Sequence, residues 1–496
     1  MLRPSSPTVL VLDIGSSSAR ALIFDARGIA IPHANVQIAY TVQTTADGGA
    51  MLHADALLVS IEQCIDAVLP HCGAAGVQAV GCATLVGNLL GVDAAGRAIT
   101  PLWTWADTQG APAARALRQQ WPESDVWQRT GCPIHSAYWP ARIRWLATTQ
   151  PDLFARVQRW LTFGEYLTER WLGRPLLSPS VVAWNGMFNR VSQTWDTEWL
   201  AELPLRVDQL SPISAARTPH RGLAPPYATR WPALRDAAWL PPMGDGIGSN
   251  WGVGATNPAR VAINIGTSGA MRVVLPAGGT LPAGLWAYRI DAQHELVGGA
   301  LSNGGNLVRW ASDTFNLPDL AQLDAALLPL PAAAHGLSVL PFWAGERSPN
   351  YDPNARATIH GLSLHTTPLQ IVQAMLEAVA YSFGAIYERL RPVLAADHTL
   401  VAGGGALENS PLWAQILCDV LGMPLHRSTT DQATARGIAL FALESLGILV
   451  ETPSSAATVL TPSLVNHERY RQARAESDDL RRRVMRNQES GIRNQE

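Results

Sequence analysis

The sequence contains no lysine, so all 37 of its basic residues are arginine. Schiff-base chemistry and pyridoxal phosphate enzymes need a lysine amine, and this absence excludes both. It also excludes the Walker A loop, whose lysine reaches the phosphates of a bound nucleotide. Any phosphate chemistry in this chain must therefore use backbone amides, hydroxyl groups, arginine and a metal ion.

Other common features are missing as well. No apolar run approaches the ~18 residues of a membrane span, and the first residues lack a secretory signal, so we expect a cytoplasmic protein without a membrane partner. A net charge of −3 offers no attraction to nucleic acid. The five cysteines are an odd number without a CxxC pair, which indicates reduced core residues rather than a redox or metal site.

The composition is that of a folded globular protein. Hydrophobic residues make up 47% of the 496 residues and charged residues 16%, which is too apolar for a disordered chain. At roughly 100–200 residues per domain, this length predicts two to four domains.

The segment Thr8–Arg20 (TVLVLDIGSSSAR) has the first strong pattern. A β-branched and leucine-rich run ends at Asp13, Gly15 and three serines follow, and apolar residues resume at 21–24. This pattern predicts two strands joined by a Gly/Ser turn. Such a turn directs several N–H groups and hydroxyls into one concavity, which suits a phosphate, although an ordinary hairpin has the same pattern.

The pattern recurs past the midpoint of the chain. Val261–Arg272 (VAINIGTSGAMR) is again an apolar strand, a Gly-Thr-Ser-Gly turn and a return to strand residues. Two copies predict gene duplication and two similar domains facing one another, with two phosphate loops closing on one nucleotide. Strand-like runs alternate with helical ones such as Pro368–Leu390, which favours α/β domains. We place the domains at residues 1–242 and 243–485, followed by a disordered tail at 486–496.

Several motifs, in order, resemble the FGGY carbohydrate kinases from about residue 8 to residue 480. Ala357–Glu377 (ATIHGLSLHTTPLQIVQAMLE) is similar to the family's second signature, and Gly345–Pro349 (GERSP) looks like the segment before it. Val401–Leu407 (VAGGGAL) resembles the glycine turn that passes under the adenosine, and Asp431–Gly437 resembles the following helix start. The resemblance implies two duplicated actin-like (ribonuclease H-like) domains with the active site in the cleft between them.

The resemblance also implies a catalytic residue. Residues 243–255 (MGDGIGSNWGVGA) are similar to the family segment whose aspartate is the general base, here Asp245. On its own pattern Asp245 is better explained as an Asx-turn residue in a glycine turn. Asp13 would face Mg²⁺ through water, because Mg²⁺ prefers carboxylate and water ligands; otherwise it caps a strand end.

The resemblance therefore implies ATP and Mg²⁺ as cofactors. The residues expected to bind the nucleotide are Asp13, Gly15, Ser16, Ser17, Ser18, Arg20, Gly266, Thr267, Ser268, Asn303, Gly403, Gly404, Gly405 and Asn409.

The sugar site is expected around Trp105-Ala106-Asp107, which resembles the family's W-x-D-x-R segment. Trp105, Asp107, Asn88 and Asp245 are the expected substrate-binding residues. Thr130–Leu146, Gly298–Trp310 and the Asp245 segment look most like the gluconate-kinase branch, so gluconate is the leading substrate.

Two departures from the family bear on the substrate. Val86-Gly87 replaces the usual Met-His pair, and Gln109 replaces an arginine suited to a carboxylate. Xylulose, ribulose, glycerol or another polyol stay open as substrates, as does a homodimer. A sugar- or nucleotide-sensing protein without activity and an ATPase acting through a protein partner are the alternative functions.

Overall fold

The computed structural model describes residues 7–73, 76–352, 355–428, 430, 432–448 and 458–493, with side chains as far as Val484. The first half of the chain contains β1 (Val9–Ile14), β2 (Ser18–Phe24), β3 (Ala30–Ala39), β4 (Gln43–Thr44), β5 (Ala50–Leu52), α1 (Ala54–Val68), β6 (Ala79–Thr84), β7 (Leu90–Val92), β8 (Leu102–Trp103), α2 (Ala111–Gln120), α3 (Glu123–Thr130), α4 (Trp139–Thr149), α5 (Pro151–Arg156), β9 (Arg159–Leu161), α6 (Phe163–Leu172), α7 (Pro179–Ala183), β10 (Phe188–Asn189), β11 (Thr194–Trp195), α8 (Thr197–Glu202), α9 (Pro225–Arg230), β12 (Ala238–Trp239) and β13 (Met243–Gly244).

The second half contains α10 (Asp245–Gly252), β14 (Arg260–Ile265), β15 (Gly269–Pro276), β16 (Trp286–Arg289), β17 (His294–Leu301), α11 (Gly305–Phe315), α12 (Leu320–Leu327), β18 (Ser338–Leu340), β19 (Thr358–His360), α13 (Pro368–Leu390), β20 (Thr399–Gly403), α14 (Gly405–Glu408), α15 (Pro411–Leu421), β21 (Leu425–Arg427), α16 (Ala433–Ser445), β22 (Val459–Leu460) and α17 (Leu464–Arg493).

The two main sheets repeat one topology. In the first, the order is β3-β2-β1-β6-β12, with antiparallel pairing as far as β1 and parallel pairing beyond it. In the second, β17-β15-β14-β20-β21 follow the same order with the same change from antiparallel to parallel. The hairpins β1–β2 and β14–β15 are therefore equivalent, and the duplication predicted from the sequence is confirmed.

Helices cover both sheets. α1 packs on β2 and β3, and α16, although late in the chain, packs on β1 and β6 of the first sheet. α13 packs against β15 and β17 and begins with a capping box between Thr367 and Gln370. The segment Pro368–Val393 is long and apolar enough to cross a membrane. However, 72% of its most apolar 18-residue stretch is buried inside the fold. Burial against the sheet explains its apolar sequence.

α10 and α16 cross at very short distance because glycines lie at the contact. A Cβ atom on Gly437 would lie 1.8 Å from the carbonyl oxygen of Gly248, and one on Gly252 would lie 1.9 Å from that of Ala433. Side chains at these positions would force the two backbones apart. The crossing holds the first residue of α10, Asp245, against the first sheet.

The hairpin β16–β17 ties the second half to the first. The Gly131 carbonyl accepts a 3.0 Å hydrogen bond from the Ala287 N–H. Arg190, buried in the first half, donates to both carboxylate oxygens of Glu295 at 3.0 and 2.5 Å. Trp286 and Tyr288 complete the core of the first half.

Two details bear on the predicted boundaries. Met243–Gly244 pairs with β6, so the first sheet extends past residue 242. The last helix continues to Arg493, which contradicts the predicted disorder for 486–493; residues 494–496 lie outside the described part. Residues 486–493 therefore form part of a continuous helix.

All five cysteines are free, and all but Cys72 are buried, as expected of core residues.

Candidate functional site

Both hairpin turns and Asp245 line one cavity between the two sheets. Its volume is about 220 Å³, and we call it the sugar cavity after the ligand that the sequence resemblance predicts. Ser16 comes from the β1–β2 turn, Ser268 and Gly269 come from the β14–β15 turn, and Asp245 starts α10. The structure thus brings together the two loops and the carboxylate that the sequence predicted to share a site.

The two turns are closed in the same way. The Gly15 N–H donates to the Ser18 carbonyl at 3.0 Å, and the Gly266 N–H donates to the Ser268 carbonyl at 2.9 Å. Among the described residues, the peptide N–H groups of Ser16, Ser17, Thr267 and Ser268 donate to no acceptor. Unpaired amides at a tight turn are anion-binding groups, so the two turns are equipped to hold phosphates without lysine.

Asp13 and Arg20 line a second, polar cavity of about 340 Å³, together with Gly266 and the turn Gly403–Gly405. The two residues face each other across the β1–β2 register. Burial raises the pKa of Asp13 to about 6; the Arg20 charge opposes this rise and the Asp245 carboxylate adds to it. Asp13 and Asp245 are neighbouring carboxylates, and carboxylate oxygens suit a hydrated Mg²⁺. The charge of a bound Mg²⁺ would relieve the repulsion between them.

A third cavity, of about 770 Å³, continues from the second through Gly266 and Gly405. Thr267, Asn306, Trp310 and Asn409 line it. Gly404 has φ +100°, and a Cβ there would lie 2.6 Å from the Ile265 carbonyl oxygen, so this position requires glycine. The second and third cavities adjoin at Gly266 and Gly405, and together they have the volume for a nucleotide.

Asp245 accepts a 2.7 Å hydrogen bond from the Gly246 N–H, and its side chain opens into the cavity rather than into the core. Desolvation within the deep cleft raises the pKa of Asp245, while the charges of Arg272 and Arg347 oppose that rise. The carboxylate therefore lies at the point where the phosphate loops and the sugar cavity meet.

Arg272 and Arg347 make the sugar cavity positive. Both line it, and neither has a carboxylate within ion-pairing distance among the described side chains. The Arg272 Nε is buried without an acceptor. The Arg347 guanidinium lies 5.4 Å from the Trp105 ring centroid, in a cation–π contact. Two arginines without partners leave the cavity able to bind an anionic group.

Aromatic rings form the remaining walls. Trp184 stacks on Tyr288 with ring centroids 3.7 Å apart, and the Tyr288 hydroxyl is 2.8 Å from that of Tyr138. Burial lowers the pKa of His135 to about 3, so this ring is neutral. Its Nδ1 accepts from the Ala137 N–H at 3.1 Å, which leaves the proton on Nε2 as a donor.

Several predicted site residues lie elsewhere. Asp107 is fully buried and accepts hydrogen bonds from the backbone N–H groups of Ala50 and Gln109, so it does not reach the cavity. Asn88 is also fully buried, and its side chain bridges Leu85 and Phe163. Neither side chain lines the sugar cavity, because hydrogen bonds to the backbone hold both polar groups inside the first half, and their contact with a sugar stays a prediction.

The predicted role of Asn303 also needs correction. Its side-chain amide binds the backbone of Ala344 and Gly345, away from the nucleotide cavities. Asn306, one turn later, lines the third cavity instead. Ser18 begins β2 with a buried side chain, and Ser17 lines none of the cavities described above. Asp431 lies outside the described residues.

Comparison with known proteins identifies the family. Residues 8–234 match the N-terminal domain and residues 261–446 the C-terminal domain of the FGGY family of carbohydrate kinases. The chain belongs to the FGGY family of carbohydrate kinases. It is therefore an ATP-dependent kinase that acts on a sugar or polyol.

Relatives of this kinase differ in substrate. The gluconokinase of Bacillus subtilis is 22% identical over 451 residues, covering 88% of each chain. Glycerol kinase 1 of Pseudomonas aeruginosa is 28% identical over 462 residues, covering 88% of this chain and 89% of its own. The solved gluconate kinase of Lactobacillus acidophilus superposes with a TM-score of 0.88 at 22% identity, covering 97% and 98% of the two chains. These similarities establish the fold and leave the substrate open.

Sequence reasoning did not assign Arg347, His135 or Tyr288 to the site. The Gly345–Pro349 motif contains Arg347, so a charged residue within a recognised motif was the available signal. His135 and Tyr288 lie in different halves of the chain, and only the folded structure brings them together.

Proposed function

We propose that this kinase transfers the γ-phosphate of ATP to a hydroxyl group of a sugar acid, with gluconate as the leading substrate. The observation that carries the proposal is the shared cavity, in which Asp245, both unpaired-amide turns and two arginines without carboxylate partners meet. A neutral polyol would leave both guanidinium groups without an anionic partner, whereas a carboxylate would pair with them.

In the proposed reaction, Asp245 accepts the proton of the attacking hydroxyl. The turns Gly15–Ser18 and Gly266–Gly269 hold the phosphates through backbone N–H groups, and Arg20 lies beside Asp13 at the second cavity. Bound Mg²⁺, held by Asp13 through water, would supply charge neutralisation of the phosphates. The aromatic walls exclude water from the attacking group, which favours transfer to sugar over hydrolysis.

Arg272 and Arg347 are proposed to hold the sugar carboxylate, and Trp105 to pack on the apolar face of the ligand. Val86 and Gly87 line the same cavity, where an added side chain at Gly87 would approach Trp105 and Ala137. Gln109 instead donates to Asp47 at the surface, 2.7 Å away. The two arginines therefore supply the positive charge that the residue at position 109 lacks.

We expect the reaction to take place in the cytoplasm, in agreement with five free cysteines. The homodimer stays a prediction. The mechanism does not depend on it, because every group named above comes from one chain.

An ADP-release screen tests the function. Gluconate, xylulose, ribulose, glycerol and erythritol would be compared with the wild type and with Asp245→Asn. We expect release with gluconate, and a loss of about 10²–10⁴-fold in the variant, with ATP binding retained because the turns are intact. ADP release that does not depend on sugar would favour an ATPase. Sugar binding without ADP release would favour a sensor protein.

A further inference from the structure

A fourth cavity is lined by the loop that carries Arg347. We call it the back cavity; its volume is about 340 Å³, and it lies between α13, α17 and residues 341–350. Leu340, Phe342 and Val379 form an apolar floor, while Arg389, Arg474 and Arg481 line the rim. Arg347 lines both this cavity and the sugar cavity.

Among the described side chains, two of the three arginines at the rim of the back cavity are paired with carboxylates, and the third is not. Arg474 pairs with Glu388 at 2.6 Å, and Arg481 pairs with Glu346 at 2.8 Å. Arg389 donates only to its own helix, at the Ala385 carbonyl 2.9 Å away. No carboxylate lies within ion-pairing distance of Arg389 in the part of the chain whose side chains are described.

The unused donors point to one kind of ligand. The Arg481 Nε is buried without an acceptor. Burial lowers the pKa of Arg389; the carboxylates of Glu388 and Asp478, which line the same cavity, oppose this shift, and the charges of Arg474 and Arg481 add to it. A phosphate group presents several acceptor oxygens and two negative charges, which match guanidinium forks bidentately. The apolar floor gives room for the body of such a molecule.

We propose that the back cavity binds a small molecule carrying a phosphate group, through Arg389 and Arg481. Such a ligand competes with Glu346 for Arg481 and so loosens the loop that carries Arg347. The binding claim stands by itself. Its effect on the sugar cavity, a changed KM for the sugar at constant kcat, rests on the function proposed above.

Isothermal titration with phenyl phosphate tests the binding. The protein would first be saturated with Mg²⁺ and a non-hydrolysable ATP analogue, so that the phosphate loops are filled. We expect one site in the wild type and an affinity about 10-fold weaker in Arg389→Gln, which loses a charge-assisted bond. Arg481→Gln should weaken binding as well.

Arg471→Gln is the matched control, since Arg471 is exposed on the same helix and pairs with Glu468 outside the cavity. Its affinity should equal that of the wild type, and circular dichroism would confirm that each variant is folded. Absence of binding at millimolar phenyl phosphate, or equal affinity in all four proteins, would overturn the proposal. Neither result depends on kinase activity, so failure here leaves the proposed function untouched.

Discussion

At the level of single residues, Arg272 and Arg347 line the sugar cavity, and neither forms a salt bridge among the described side chains. Arg190, Arg230 and Arg474, by contrast, are each paired. Desolvation lowers the pKa of Arg272, and the Asp245 charge opposes this. Arg272 forms no salt bridge with any side chain that the structure describes, so the Asp245 charge offsets only part of the cost of burying this cation. Binding of an anionic substrate would remove that penalty, which makes these residues the proposed source of substrate choice.

Arg272→Gln tests this reasoning. A hydrogen bond to a charged group is worth about 1.5–3 kcal/mol, so we expect KM for gluconate to rise by roughly 10- to 100-fold. Loss of the positive charge also raises the pKa of Asp245, and that effect on kcat is common to all substrates. Steady-state kinetics with gluconate and with glycerol separate the two effects. An equal KM change for both substrates would contradict the carboxylate role.

Much of the site could be predicted at the level of local motifs. The turns at Gly15 and Gly266 follow from strand-turn-strand patterns, whereas Asp245 was assigned only because its glycine-rich segment resembles the family segment. Asp107 could not be judged in this way, because its burial depends on Ala50, far away in the sequence. The positions of His135 and Arg347 likewise depend on how the two halves pack, which no local pattern contains.

At the level of elements, α10 and α16 determine where Asp245, the proposed general base, lies. α16 rests on β1 and β6, and α10 rests on α16 through Gly248, Gly252 and Gly437. Asp245 is the first residue of α10. A displacement of this crossing therefore moves Asp245 relative to Asp13 and the phosphate turns.

Gly437→Ala should disturb both stability and catalysis. The added methyl group would lie 1.8 Å from the Gly248 carbonyl oxygen, and overpacking of this kind typically destabilises by about 1–3 kcal/mol. We expect a lower Tm and a kcat reduced by about 10-fold or more, since small misplacements of reacting groups are costly. Gly279→Ala, in open space, is the control. A variant with normal kcat would show that the crossing does not set the position of Asp245.

The elements themselves were largely predictable from the sequence. α13 spans Pro368–Leu390 as predicted, because a proline start, a capping box and a long apolar face all agree. The end of the chain was predicted less well. Its polar residues indicated disorder, but the arginine-rich helix continues to Arg493. Intrahelical pairs such as Arg483 with Asp479 contribute to this helix at low hydrophobicity.

In the whole molecule, the halves are connected by more than the polypeptide chain. α16 reaches from the second half onto the first sheet, and β16–β17 reaches into the core of the first half. Arg190 and Glu295 form a buried pair across this second contact, with side chains 4% and 1% exposed. Closure of the cleft must therefore occur without breaking these two connections.

Arg190→Met should leave Glu295 as a buried charge without its main partner. Removal of one member of a buried pair typically destabilises by about 3–5 kcal/mol. Arg289, whose NH1 is 3.9 Å from Glu295, offsets part of this loss, so we expect the lower end of the range. Thermal unfolding measures the effect, and Arg190→Met with Glu295→Gln should recover part of the Tm. An unchanged Tm in the single variant would show that the pair is not needed for the contact.

The repeated sheet also has a consequence for the origin of the enzyme. Asp245 follows directly after the last strand of the first copy, at the junction of the two copies. An ancestor with a single copy would have had one anion-binding turn and only one of the two walls of the crevice. Such an ancestor could have surrounded a nucleotide only by pairing with itself. Two copies within one chain place both turns in a single crevice without self-association.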